Sequence, residues 1–370
     1  MFSIGTPTEA VNFPWGYGYR ARKSDTPPSA GCGELIPCDN PGWYHPHVYA
    51  INSQSMRTLL VPPTLVSFLS IAAIASGQSS PVQMVPKPTP PVTMESISIY
   101  ITPVMRKDTP LPALKAEDLT ITEDKAPAKV DRISCGRPDP ILIGILVDVS
   151  ASRSNDSHLV SHYNELQTFL GRVLTGHDGA YVVAFNEGPF KLSELTADPA
   201  ALTAAFDQLT KLGTKGATAL YDAIKAAANA NFFGRADRRI LVVVSDWEDD
   251  RSRLNLKQVT EVAERTSTTV YAIIDQRDYA TKLSGRVTEL ASSAAKEVAR
   301  ETGGLSFNVK GENEFAMALQ AIQIAISGYC RVDYSIPRVA SSKNGIKLQV
   351  TSNLEGISIY YPKTRFAAAQ

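Results

Sequence analysis

Residues 141–152 read Ile-Leu-Ile-Gly-Ile-Leu-Val-Asp-Val-Ser-Ala-Ser, and this stretch decides the fold class. Seven mostly β-branched or aliphatic residues run unbroken, which is typical of a strand buried on both faces of a parallel sheet. The run ends at Asp148, and the hydroxyls of Ser150 and Ser152 follow at alternate positions. Ligands of open parallel sheets bind at the carboxyl ends of the strands. We therefore expect these three side chains at a functional edge of a sheet.

The centre of the chain, residues 138–328, continues this pattern by alternating strand and helix. Further strands are predicted at 181–185, 240–245, 270–274 and 305–309. Between them lie amphipathic segments with helical spacing, such as the apolar positions from Leu159 to Val173. Such alternation, with β-branched strands, predicts an α/β fold with a doubly wound, mostly parallel, Rossmann-like sheet.

The flanks of this centre, residues 94–137 and 329–370, carry β-rich runs instead of helices. The predicted strands cover 95–104, 119–123, 128–133, 331–334, 346–350 and 357–361. Neither flank is long enough to bury a core alone. We therefore expect both flanks to form one small antiparallel β-domain into which the centre is inserted.

The segments before residue 94 are expected to lie outside the folded part. Residues 1–55 show neither the helical nor the strand periodicity of apolar residues, and they are interpreted as a non-native or disordered extension. Residues 56–77 combine a basic start, an apolar core and a small-residue end, which is typical of a secretory signal peptide, so translation is expected to begin at Met56. A genuine extension before an internal anchor is the alternative. Residues 78–93 form a Pro-rich linker.

Length and composition restrict the class of protein further. The chain has 370 residues, enough for two domains. Its formal net charge is zero, so the charge balance favours neither nucleic acid nor an anionic membrane as a partner. Five histidines and four cysteines argue against a His-rich zinc enzyme or a disulfide-dense scaffold. With the signal peptide, we expect a periplasmic or secreted protein without a membrane span after cleavage.

Two more segments complete a candidate metal site with Asp148, Ser150 and Ser152. The strand at 240–245 is followed by Asp246, and a Gly-containing loop places Thr218 directly before a predicted helix. These segments bring only carboxylates and hydroxyls to one edge of the sheet. Oxygen ligands of this kind suit Mg²⁺, with Mn²⁺ or Ca²⁺ as alternatives, and suit Zn²⁺ or Cu²⁺ poorly.

Together, these segments resemble the metal-ion-dependent adhesion site (MIDAS) of von Willebrand factor type A (VWFA) domains and integrin I domains. The resemblance covers residues 138–328. Residues 114–124 and 218–223 further resemble a family of exported bacterial VWFA-related proteins of largely unassigned function.

The resemblance implies a role for each site residue. Ser150 and Ser152 would be direct metal ligands, and Thr218 would lie close to or on the metal. Asp148 and Asp246 would act mainly through coordinated waters and would orient the serine hydroxyls. The remaining coordination position would accept a carboxylate from a partner protein.

The segment after Asp246 departs from the family pattern. The family usually reads Ser-Asp-Gly-x-Asp, whereas this chain has Trp247 and then Glu248 after Asp246. Glycine permits a positive φ, which tryptophan does not favour. We expect Trp247 and Glu248 to lie on the metal face as a recognition surface. The alternatives are a rebuilt loop with lower metal affinity and a Trp247 ring packed beneath the loop.

Cys135 and Cys330 bracket the central domain. Type A domains of some extracellular proteins join their two ends by a disulfide, and the resemblance implies such a bond here. Two buried free thiols are the alternative.

The sequence supports binding rather than catalysis. It contains no Gly-Lys-Ser/Thr phosphate loop, no Gly-x-Ser-x-Gly and no His-Glu-x-x-His. We expect a non-enzymatic, adhesion-type protein that engages a protein ligand through the metal. The alternative is a structural or assembly component of the cell envelope in which the metal only stabilises the fold. A hydrolase that activates water with the metal would lack a general base.

Overall fold

A computed structural model describes residues 93–105, 110–154, 156, 158–230, 238–275, 282–337 and 345–366. For residues 230 and 282–288 the description is limited to the backbone. The predicted extension, signal peptide and nearly all of the linker lie outside these ranges. The described ranges belong to one compact unit.

The secondary structure falls into three blocks along the chain. The first block comprises β1 (Met94–Met105), β2 (Leu119–Glu123) and β3 (Ala126–Cys135). The second comprises β4 (Ile141–Asp148), α1 (Leu159–Val173), β5 (Gly179–Phe185), β6 (Pro189–Lys191), α2 (Pro199–Leu212), α3 (Leu220–Ala230), β7 (Arg238–Ser245), α4 (Leu256–Arg265), β8 (Thr268–Asp275), α5 (Lys282–Thr302), β9 (Ser306–Val309) and α6 (Glu312–Ser327). The third comprises β10 (Cys330–Pro337), β11 (Ile346–Ser352), β12 (Ile357–Tyr360) and β13 (Thr364–Arg365).

The second block forms a six-stranded sheet in the order β6-β5-β4-β7-β8-β9. Five of these strands are parallel to one another, namely β5, β4, β7, β8 and β9. The sixth strand, β6, is antiparallel to β5 at one edge of the sheet. Side chains from α1, α2 and α6 share a core with one face of this sheet, and those from α3, α4 and α5 share a core with the other. The predicted α/β class is confirmed, and the sheet is mixed because of β6.

Strand β4 lies in the middle of this sheet and is buried along its whole length. Gly144 lies within its apolar run for a steric reason. A Cβ atom at this position would lie only 2.4 Å from the hydroxyl of Tyr181 on the neighbouring strand. That hydroxyl donates a hydrogen bond to the carbonyl of Ala227, at 2.9 Å. Gly144 thus lets the Tyr181 ring cross β4 and tie β5 to α3.

The first and third blocks form a seven-stranded antiparallel sheet in the order β12-β1-β10-β3-β2-β11-β13. Strands from both flanks alternate within it, with Ile99 opposite Val332 and Ile121 opposite Val350. These four residues belong to one apolar core. The flanks therefore join in one antiparallel sheet, as the sequence predicts. The short strands β6 and β13 were not predicted.

Cys135 and Cys330 lie opposite each other at the ends of β3 and β10, and the structure joins them in a disulfide. The chain passes from β3 into β4 and returns from α6 into β10 at this point. The bond would therefore hold together the two connections between the antiparallel sheet and the mixed sheet. Oxidation of these thiols in the exported protein stays a prediction.

None of the described helices combines the length and the apolar character that a membrane crossing requires.

Candidate metal centre

The candidate site begins where β4 and β7 end side by side. Asp148, the last residue of β4, is completely buried. Its Oδ1 accepts a hydrogen bond from the backbone N–H of Ser150 at 2.8 Å, and its Oδ2 accepts one from the hydroxyl of Ser245 at 2.6 Å. Because parallel strands end at the same edge of a sheet, the carboxylate can link both strand ends.

A chain of short contacts extends from this carboxylate to Asp246. The hydroxyl oxygens of Ser150 and Ser152 lie 3.0 Å apart, within hydrogen-bonding distance. The hydroxyl of Ser152 donates to Oδ2 of Asp246 at 2.6 Å. The other oxygen of Asp246 accepts from the backbone N–H of Glu248 at 3.1 Å. The structure therefore brings four of the five predicted metal-site residues into one network.

Thr218, the fifth predicted residue, is buried in the loop before α3. Its backbone N–H donates to Oδ1 of Asp250 at 2.7 Å, and its carbonyl accepts from the N–H of the same residue at 3.1 Å. In the same loop, the carbonyl of Gly216 accepts a hydrogen bond from the backbone N–H of Ala151 at 2.9 Å. These bonds hold the Thr218 loop against the segments that follow β4 and β7.

A cavity of about 460 Å³ opens beside this network, and both Ser152 and Thr218 line it. One part of its wall is acidic and another is apolar, the latter contributed by α5. The remaining lining residues are Ala151, Gly216, Ala217, Tyr221, Trp247, Glu248, Asp249, Asp250, Leu290, Ala291 and Ala294.

Negative charge accumulates at this edge of the sheet. Burial raises the pKa of the Asp148 carboxyl, as does the charge of Asp246, against the opposing effect of the bonds from Ser150 and Ser245. Burial also raises the pKa of Glu248, together with the charges of Asp246, Asp250 and Asp148. Within the described part of the chain, no lysine, arginine or histidine forms an ion pair with these carboxylates. A bound cation would therefore relieve their repulsion.

The chemistry of these donors fits a hard divalent cation. Asp148, Ser150, Ser152, Thr218 and Asp246 offer hydroxyl and carboxylate oxygens, and no described cysteine or histidine lines the cavity beside them. Mg²⁺, Mn²⁺ and Ca²⁺ prefer oxygen ligands of this kind.

The prediction that Trp247 is an exposed recognition residue is wrong. Its side chain is only 1% exposed and packs in the core between the sheet and α3, α4 and α5. Its backbone nevertheless has a φ of 63°, the left-handed conformation that glycine adopts without strain. The backbone N–H of Trp247 donates to the hydroxyl of Ser245 at 3.0 Å. The ring therefore packs beneath the loop, because burial of its apolar surface outweighs the backbone strain. Glu248, by contrast, is half-buried and lines the cavity.

A second polar cluster, which the sequence did not reveal, surrounds Arg153, the residue that follows Ser152. Ligand atoms of Asp156, His162 and Asp275 lie within 4.8 Å of one another. However, the guanidinium of Arg153 pairs with Oδ2 of Asp156 at 2.7 Å and also with Oδ2 of Asp275. The Nδ1 atom of His162 lies 3.2 Å from the same oxygen of Asp275. Because the guanidinium already neutralises the oxygens that a metal would need, we interpret this cluster as a structural ion-pair network.

This network strongly favours the ionised form of Asp275. Burial opposes ionisation, but the hydrogen bond from His162 and the charge of Arg153 outweigh it and lower the pKa of Asp275 to about 2. Arg153 follows Ser152 directly, and it is 1% exposed. The network therefore fixes the segment that carries the two serines to the end of β8.

The fold and the site define an α/β domain with a cluster of hydroxyl and carboxylate oxygens at the carboxyl edge of its sheet. The family model described as "von Willebrand factor type A domain" matches residues 143–248, a range that includes Asp148 and Asp246. Residues 143–248 therefore match the VWFA family, and the chain contains a domain of this type.

Several solved structures are similar to this chain. Proximal thread matrix protein 1 from the mussel byssus is 13% identical, with 56% of this chain and 51% of that chain covered and a TM-score of 0.44. A structure of the same mussel protein with a zinc-occupied MIDAS motif is 14% identical, with 57% and 50% covered and a TM-score of 0.42. BatB from Bacteroides thetaiotaomicron is 18% identical, with 50% and 97% covered and a TM-score of 0.38.

This chain thus spans about half the length of the mussel protein. At identities of 13–18% and TM-scores of 0.38–0.44, these likenesses indicate nothing about a ligand or a location. No curated protein matches the chain.

Proposed function

We propose that this chain is an exported, non-enzymatic binding protein of the adhesion type, which engages a protein ligand through a divalent cation at the MIDAS-like site. The network that joins Asp148, Ser150, Ser152 and Asp246 at one sheet edge carries this proposal. Its carboxylates form no ion pair with a lysine, arginine or histidine among the described residues, so a bound cation would offset their mutual repulsion.

The hydroxyls of Ser150, Ser152 and Thr218 would hold the cation, which we expect to be Mg²⁺, with Mn²⁺ and Ca²⁺ as alternatives. When bound, the cation would supply positive charge for an incoming carboxylate. Asp148 is suited to an orienting role, because both of its oxygens already accept hydrogen bonds within the protein. Asp246 fixes the hydroxyl of Ser152 in the same way.

The partner that suits this site is a protein that presents a carboxylate from an aspartate, a glutamate or a chain terminus. Ser152 and Thr218 line an open cavity, so a side chain from another protein could approach them. A cation retains more of its charge when the protein supplies neutral hydroxyls as direct ligands and keeps its carboxylates behind them. This arrangement favours an acidic ligand over a neutral one.

A purely structural role of the metal in an envelope component is the competing proposal. The same network joins the ends of β4 and β7 to the Thr218 loop, so a cation bound there would also stabilise the fold. The two proposals differ in whether metal loading changes only stability or also partner capture.

Capture from an envelope extract, with Mg²⁺ or with chelator, separates these proposals. We expect the protein to retain a partner only with Mg²⁺, and Asp148→Ala to abolish capture when it is compared with the wild type at equal folded concentration. Asp207→Ala removes an exposed carboxylate on α2 and serves as the control. If Asp148→Ala lowers only metal-dependent stability and leaves capture intact, the structural role is correct.

Export is the remaining part of the proposal, and it rests on the sequence of residues 56–77. Amino-terminal sequencing of protein recovered from outside the cytoplasm tests it. We expect the mature chain to begin shortly after residue 75, and a start upstream of Met56 would contradict the proposed signal peptide.

A further inference from the structure

The cavity beside the MIDAS-like site has an acidic wall that the proposed metal ligation does not use. Glu248 is half-buried in this wall, and no described residue pairs with its carboxylate. Its neighbours Asp249 and Asp250 are engaged within the protein, since they accept hydrogen bonds from Ser252 and from the backbone of Thr218. Glu248 is therefore a carboxylate of this wall whose oxygens have no partner among the described residues.

The cavity also has an apolar wall, which α5 contributes. Leu290 is 64% exposed there, the largest exposure among the described large hydrophobic side chains. Ala291 and Ala294 continue the wall at 6% and 8% exposure. An exposed leucine above small buried residues forms a shallow apolar surface on which a ligand side chain can pack.

We propose that this cavity is a second subsite that reads the residues next to the partner's carboxylate, by taking a basic side chain at Glu248 and an apolar side chain at Leu290. The inference rests on the proposed function, because the carboxylate at the metal positions the neighbouring residues. A volume of about 460 Å³ lies within the range of about 300–1,000 Å³ that is usual for ligand sites. The preferred partner is therefore a protein segment in which an acidic residue lies beside a basic and an apolar residue.

Five peptides displayed at high density on beads test this inference, because multivalent display makes weak binding measurable. Their central sequences are Leu-Asp-Lys, Leu-Asp-Gln, Leu-Asp-Glu, Gly-Asp-Lys and Leu-Asn-Lys, with acetylated and amidated ends. The full chain is added with Mg²⁺ or with chelator, and retention is measured as a function of protein concentration.

With Mg²⁺, we expect the Leu-Asp-Lys peptide to be retained about five- to tenfold more tightly than Leu-Asp-Gln or Gly-Asp-Lys, as one partly buried ion pair or one apolar contact allows. Glu248→Lys should abolish the preference for lysine and reverse it toward a Leu-Asp-Glu peptide. Glu355→Lys makes the same charge change in the exposed turn between β11 and β12, and it should leave the preference unchanged. Leu290→Ser should remove the preference for leucine, and Ile324→Ser on α6 is its control.

Three different results would overturn the inference, and only the first leaves the proposed function standing. If all Asp-containing peptides are retained equally in Mg²⁺, and Asp148→Ala abolishes that retention, the proposed function stands and the second subsite does not exist. If no peptide is retained in a Mg²⁺-dependent manner, the proposed function fails and the subsite fails with it. Retention of Leu-Asn-Lys equal to that of Leu-Asp-Lys would likewise contradict both.

Discussion

Replacement of Trp247 by alanine and by glycine tests how this chain tolerates a departure from the family pattern beside its candidate metal centre. The side chain is 1% exposed in the core next to α3, α4 and α5. Truncation of a buried tryptophan to alanine costs about 3–5 kcal/mol of unfolding free energy. We therefore expect Trp247→Ala to destabilise the protein by an amount in this range.

The comparison between alanine and glycine isolates the backbone strain. At a φ of 63°, a side chain with a Cβ atom costs about 1–2 kcal/mol relative to glycine. In ordinary backbone, glycine is less stable than alanine by about 0.5–1 kcal/mol. The first effect outweighs the second, so Trp247→Gly should be more stable than Trp247→Ala by about 0.5–1 kcal/mol.

Equilibrium unfolding in urea, followed by circular dichroism in chelator, measures both differences. Val160→Ala and Val160→Gly form the control pair, because this residue is exposed in the helical backbone of α1, where glycine should be the less stable choice. Equal alanine-to-glycine differences at 247 and 160 would show that the Trp247 backbone is not left-handed. A negligible effect of Trp247→Ala would show that the ring is not buried.

Three further variants or treatments test the electrostatics and the covalent link. Asp275→Asn should lower the unfolding free energy by at least about 2 kcal/mol at neutral pH, because a carboxyl pKa lowered from 3.8 to about 2 stabilises the fold by ~1.36 kcal/mol per pKa unit. Thermal unfolding should show that the difference in stability between wild type and variant shrinks as the pH falls from about 5 toward 2. Asp148→Asn should not lower the unfolding free energy in chelator at neutral pH, because the raised pKa of Asp148 means that its ionised form destabilises the metal-free fold. Addition of Mg²⁺ should raise the melting temperature of the wild type but not that of this variant. Reduction of the bond between Cys135 and Cys330, 195 residues apart, should cost about 5 kcal/mol, and the two thiols should be labelled only after reduction.

Each of these expectations has an opposite outcome. A pH-independent difference for Asp275→Asn would mean that the ion pair does not shift the carboxyl pKa. For Asp148, the opposite outcome is a metal-free wild type that becomes more stable than Asp148→Asn as the pH is raised through the ordinary carboxyl pKa range. That result would show that a cationic group stabilises the ionised form of Asp148. Labelling of both thiols before reduction would establish that they are free.

Sequence patterns predicted the backbone of this fold because burial on one or two faces leaves a clear signature. The unbroken apolar run of β4 and the alternation in β2 indicated their sheets without any knowledge of their partners. The positions of Asp148 and Asp246 at strand ends then followed from the rule that parallel strands end at one edge. Short edge strands such as β6 and β13 lack this signature, since two or three residues carry no measurable periodicity.

Side-chain environments were harder to predict, because they depend on contacts that are distant in the sequence. The pairing of Arg153 with Asp275 spans 122 residues and has no local pattern. The Trp247 ring could have turned outward or inward, and only the packing of α3, α4 and α5 decides between them. Its left-handed backbone was not expected of a tryptophan, because local preference for a negative φ was overridden by tertiary burial.

Mg²⁺-dependent capture by wild type and by Asp148→Ala tests the central claim most directly. The measurement is retention of the full chain on beads that display a carboxylate-containing peptide, with Mg²⁺ and with chelator, for both proteins at equal folded concentration. If the metal site is functional, the wild type should be retained with Mg²⁺ but not with chelator. Asp148→Ala should be retained under neither condition. Equal retention of the two proteins, or retention that survives the chelator, would contradict a metal-dependent recognition site at this edge of the sheet.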